Sequence, residues 1–297
     1  MKEITGYLKD YIHHLDWIHV SIVILMLSIL IWVNYTFQLN ELIWSAASFY
    51  GKCFRYYLLF ASVFSFTYFS GFLLSRKPFP VYPSFYLLLL SAPMVFAVKV
   101  AFNSNSLISV NDHYLHILLQ WPFKALITFI QVWLLWRMDK NPYPLSGLTT
   151  QNFHFRPYLL LLMAMIPVIW IAGLGSEFQQ VYPKLKALGS SSSWAIKLLF
   201  ELSYGLDFFT IELFFRGFLI LAFIKYAGKD AILPMAVFYC TIHFGKPVAE
   251  CISSFFGGIL LGVIVYHTRS IWGGLILHLG IAWMMELVGI LKITTNS

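Results

Sequence analysis

Charge is what this sequence has least of: Asp, Glu, Lys and Arg together supply 11% of its residues, less than half the roughly 25% of an ordinary soluble domain. With 59% of residues hydrophobic, that scarcity excludes a water-soluble domain and leaves a polytopic membrane protein. Cysteine is nearly missing as well. Cys53, Cys240 and Cys251 are odd in number and lack metal-ligand spacing, so neither a disulfide framework nor a zinc module is expected. The two that fall in apolar runs read as small buried hydrophobes. The apolar–polar alternation of an outer-membrane barrel is absent, which leaves helices, because a lipid-exposed backbone must satisfy its own hydrogen bonds. The net charge of +7 is scattered through loops and forms no patch alternating with stacking aromatics, so no nucleic-acid partner is expected. No small-residue cleavage site follows the first apolar run, which is therefore expected to stay attached.

What the chain does have is a series of apolar runs close to the roughly 20 residues needed to cross a bilayer. They fall at 17–37, 56–74, 85–102, 116–136 and 158–174, then at 206–226, 231–244, 248–267 and 271–290, the seventh being short for a crossing. The expected fold is all-α, a membrane bundle of about eight or nine transmembrane helices with the lipid bilayer as its first partner. Arg76 and Lys77 lie in one loop and Arg137, Lys140 and Arg156 in another, whereas the loop 103–114 has no Lys or Arg. The positive-inside rule then predicts a cytoplasmic N-terminus, with Lys225, Lys229 and Arg269 also inside if the seventh run traverses. Lys99 and Lys124 lie near enough to span ends to snorkel. The stretch "GSSSSW" at 189–194 offers serine caps to the next helix, which carries Lys197 and Glu201 at i and i+4 and is expected to lie in the interface until Gly205 turns the chain inward.

Ionisable residues concentrate in the last four runs: Asp207, Glu212, Arg216, His243, Lys246, Glu250, His267, His278 and Glu286. Each costs at least ~2.5 kcal/mol unpaired at mid-bilayer, so a functional site is expected there. In "IELFFRG" at 211–217, Glu212 and Arg216 share one helical face in the order that favours an ion pair, and Gly217 permits close approach of another helix. In "FYCTIHFGKPVAE", Gly245 can stop a helix after His243, Pro247 can open the next, and Glu250 falls in its first turn. In "WGGLILHLGIAWMMEL", His278 sits in mid-span with Ala282 one turn on and Glu286 two turns on. A transporter would account for intramembrane charge by itself, but the chain has no inverted repeat and its charges are divided unequally between the halves.

Taken together, these three segments resemble the signature of the CPBP intramembrane proteases, also called the Abi or type II CAAX protease-like family. Its pattern is roughly E-E-x-x-x-R, an aromatic four residues before a His, and H-x-x-x-N or D. Here the counterparts are Glu212 and Arg216, Tyr239 with His243, and His278. The resemblance divides the chain into a variable N-terminal bundle of about five spans at 1–189 and a CPBP-like core at 190–297. It implies an endopeptidase that hydrolyses peptide bonds of membrane-associated protein or peptide substrates, of metallo- or glutamate type. Glu212, Arg216, His243 and His278 would be its catalytic set, and the two histidines the ligands of a divalent metal such as zinc if one is used. Two positions depart from the pattern, because Ile211 stands where the first glutamate belongs and Ala282 where Asn or Asp belongs. Asp207, Glu286 or Glu250 could substitute as the acid. Otherwise the chain is an inactive member that binds or scaffolds other membrane proteins.

Overall fold

The computed structural model describes residues 2–103, 113–141, 144–151, 153–189 and 192–296. Most of the loop 103–114 lies outside the described residues, as do Ser190 and Ser191 of the serine-rich stretch. Among the described residues there is no strand. The chain opens with α1 (Lys2–His14), α2 (Trp17–Phe37), α3 (Leu39–Trp44), α4 (Phe49–Leu74), α5 (Pro83–Ala101) and α6 (His113–Met138). It continues through α7 (Phe155–Ala172), α8 (Ser176–Val181), α9 (Trp194–Ile211), α10 (Leu219–Leu221), α11 (Ile224–Ala227), α12 (Ile232–Thr241), α13 (Val248–Thr268) and α14 (Trp272–Asn296). Among the described residues seven helices, α2, α4 to α7, α13 and α14, are long and apolar enough to cross a membrane. The protein is an integral, multi-pass helical bundle, and exposed Trp17, Leu25, Trp32, Phe54, Leu73 and Ile171 cover its flanks, as contact with lipid requires.

Local chemistry starts the helices where the sequence offers caps. The Asp16 carboxylate accepts the backbone N–H groups of Ile18 at 2.9 Å and His19 at 3.2 Å to open α2, and Ser193 accepts that of Ile196 at 3.4 Å to open α9. Three expectations change in the folded chain. Helix α9 runs unbroken through Gly205 to Ile211, because a single glycine inside a well-packed helix lowers its stability without ending it. Both Glu201 oxygens are buried with no hydrogen-bond partner among the described residues, so the Lys197–Glu201 pair is not made. Lys99 does not snorkel: it is 4% exposed, and its ammonium meets the half-buried Asp207 of α9 at 2.9 Å, which compensates the buried charge.

Helix α12 has ten residues, about 15 Å of rise against a hydrocarbon core of about 30 Å. It is nevertheless wrapped by protein along its whole length, with every residue from Ile232 to Thr241 buried. It packs on α13 and α4, and Phe238 meets Phe60 at 4.8 Å and Phe215 at 5.2 Å between ring centroids. Phe96 of α5 closes the cluster against Phe215 at 4.9 Å. These aromatic contacts hold the middle of the bundle rigid around the segment that carries Glu212 and Arg216.

The basic loops gather at one end. Lys77 and His14 both pair with Asp230, Lys225 meets Asp139 at 2.8 Å, and Lys229 and His267 meet Asp10 at 2.7 and 3.3 Å. At the other end the turn after α12 is tied to the first span, where Asn34 donates to the Phe244 carbonyl at 2.9 Å and Tyr35 to that of Lys246 at 2.6 Å.

Candidate active site

Between α9 and α10 the chain winds as a π-helix from Glu212 to Phe218. Such wide turns insert a residue into a helix and recur at functional sites. Gly217 is the contact that holds this one, since a Cβ there would lie 2.2 Å from the carbonyl oxygen of Ser146. The close approach expected at Gly217 is thus made by the turn at 145–147. Glu212 and Arg216 are both fully buried and pair at 3.4 Å, as their spacing predicts. The guanidinium also lies 3.9 Å from the centre of the Tyr239 ring, a cation–π contact strengthened by the burial of both side chains.

Tyr239 joins the three motifs. Its hydroxyl meets His278 Nε2 at 3.0 Å, and its carbonyl oxygen accepts from His243 Nδ1 at 2.9 Å. The ring of His243 stands edge-on to it at 4.7 Å. On the far side of His278, Nδ1 donates to Glu212 Oε1 at 2.9 Å, and the ring of Phe208 lies 5.0 Å away. A continuous chain therefore runs from Glu212 through His278 and the Tyr239 side chain and backbone to His243. The sequence marked Tyr239 only as the aromatic of its motif; its place at the centre was not legible.

Gly274 makes room for the carboxylate, because a Cβ on it would sit 2.3 Å from Glu212 Oε2. Gly274→Ala is expected to push Glu212 off His278 and lower stability by about 1–3 kcal/mol, the usual cost of overpacking. A melting midpoint in detergent equal to that of the wild type would show that the carboxylate can move freely.

The three substitute acids are engaged elsewhere. Asp207 pairs with Lys99. Glu286 accepts the backbone N–H groups of Lys184 at 2.7 Å and Leu185 at 3.2 Å, holding the 3-10 turn Lys184–Leu188 against α14. Glu250 meets Lys246 at 3.4 Å and accepts from the Tyr182 hydroxyl at 3.4 Å. Ile211 and Ala282 are buried and apolar. His243 and His278 flank one tyrosine, but both nitrogens of His278 are engaged, and no three His, Cys, Asp or Glu side chains among the described residues are grouped to hold a metal ion. A zinc site needs three or four protein ligands, which this arrangement does not supply.

The same segment is recognised independently of these contacts. Residues 192–284 match the family described as Type II CAAX prenyl endopeptidase Rce1-like, consistent with the CPBP resemblance of the motifs. The match spans about a third of the chain and includes Glu212, Arg216, Tyr239, His243 and His278. No curated protein and no solved structure matches the chain.

Proposed function

We propose that this protein is an intramembrane endopeptidase in which His243 is the general base and the Tyr239 hydroxyl, beside the Glu212–His278 pair, stabilises the oxyanion. The observation that carries the reading is the 2.9 Å contact between His243 Nδ1 and the Tyr239 carbonyl oxygen. A carbonyl oxygen can only accept, so the bond to Tyr239 O fixes the proton on Nδ1 and leaves Nε2 with its lone pair. Water attacks the scissile carbonyl as Nε2 takes its proton, and the resulting imidazolium returns that proton to the departing amine nitrogen. The negative charge that forms on the carbonyl oxygen meets the Tyr239 O–H as that hydroxyl turns from His278 Nε2, while the Glu212 carboxylate holds the His278 ring in place beside it. Within an apolar bundle such a donor acts more strongly than in water.

The test is full-length protein in lipid vesicles, incubated with a panel of single-span membrane peptides, with products identified by mass spectrometry. Wild type is expected to cleave at least one, and Glu212→Gln to slow that cleavage on the order of 100-fold, as loss of one preorganised electrostatic partner typically does. The rival reading is an inactive member that binds other membrane proteins. Buried apolar Ile211 and Ala282 favour it, as does the engagement of Asp207 and Glu286 elsewhere. Intact peptides across the panel, together with retention of one of them by the vesicles, would decide for binding.

A further inference from the structure

Two of the three cysteines meet in the folded chain. Cys240, in the last turn of α12, and Cys251, in the first turns of α13, are fully buried, and their sulfurs lie 3.7 Å apart. Each thiol also points at the other residue's carbonyl oxygen, Cys240 Sγ at 3.2 Å from Cys251 O and Cys251 Sγ at 3.7 Å from Cys240 O. The two side chains therefore face one another across the helix pair. Closing the gap to a bond needs rotation of the side chains that brings the sulfurs to disulfide geometry. The segment between them contains His243, Lys246 and Glu250, and Cys240 is covalently next to Tyr239. The turn joining the two helices is at the bundle end opposite the Lys77–Asp230 and Lys225–Asp139 pairs.

We propose that Cys240 and Cys251 form a reversible disulfide that braces the turn carrying His243. A small-molecule disulfide is the oxidant. The thiolate of one cysteine attacks it and expels one small thiolate, which takes up the proton that cysteine lost. The second cysteine then attacks the mixed disulfide at the protein sulfur and expels the other small thiol, so two protein thiols and one small disulfide become one protein disulfide and two small thiols. The bond closes the loop around His243 and removes freedom that its unfolded form would have. This bracing does not depend on the protein being a peptidase.

The experiment uses folded full-length protein in mild detergent, incubated with oxidised or reduced glutathione, then denatured, alkylated and digested. After oxidation the expected result is a Cys240–Cys251 cross-linked peptide with Cys53 alone alkylated, and a melting midpoint several degrees above that of the reduced protein. Reduction should return three alkylated cysteines and the lower midpoint. In Cys240→Ser, or in Cys251→Ser, the upward shift on oxidation should vanish while the protein stays monodisperse. The proposal is overturned if all three cysteines remain alkylated after oxidation of the folded protein. It is also overturned if the cross-link forms only after denaturant is added, or if it forms without a rise in melting midpoint. A Cys53→Ser variant that keeps the cross-link and the shift removes Cys53 as their source, and one that loses both would sink the assignment.

Discussion

Replacing His243 with alanine is expected to slow peptide cleavage by ~100- to 10,000-fold while leaving the protein folded, because general-base catalysis contributes a factor of that size. The fold should tolerate the change, since the ring makes one hydrogen bond, to the Tyr239 carbonyl, and lies in the turn beyond α12 instead of in the aromatic core. His243→Gln is the sharper variant. Its amide can still donate to that carbonyl yet offers no basic nitrogen, so it should be as slow as alanine with an unchanged melting midpoint. If instead both variants cleave at the wild-type rate, His243 is not the base. If alanine alone is slow, the ring serves to hold the turn, and proton transfer belongs to another group.

The second large effect concerns stability. Arg216→Ala should lower the unfolding free energy on the order of 3 kcal/mol, the lower range for removing one partner of a buried ion pair. Arg216 is fully buried and supports three neighbours: it neutralises Glu212 at 3.4 Å, stacks on Tyr239, and precedes the glycine pressed against Ser146. Among the described residues its guanidinium nitrogens have no hydrogen-bond partner, so charge compensation and the aromatic face account for its placement. Lysine should rescue only in part, because an ammonium keeps the charge but cannot lie flat on the ring. Unfolding in mild detergent measures both variants. An unchanged midpoint for alanine would mean that Glu212 is adequately held by His278 alone.

Composition by itself determined that the chain is a helical membrane protein: with so few charges and so many apolar runs, the bilayer is the one solvent in which these segments can rest, and helices satisfy their backbone there. The three motifs were equally legible, because the i,i+4 spacing of Glu212 and Arg216 dictates their shared face and ion pair. Which carboxylate faces which histidine was a different matter. Asp207 is one turn from Ile211 and was a reasonable stand-in on helical geometry, but Lys99, more than a hundred positions earlier in the chain, takes it. Glu286 follows the His278 stripe, yet the backbone of Lys184 and Leu185 reaches it first. Tyr239 became the centre of the site only when α12 was laid between the π-helix and α14, and the paired thiols appeared only when α12 met α13. Spacing along a helix fixes the direction of a side chain; what that side chain touches depends on the packing of helices distant in sequence, and a buried polar group binds whichever partner that packing brings within hydrogen-bond reach.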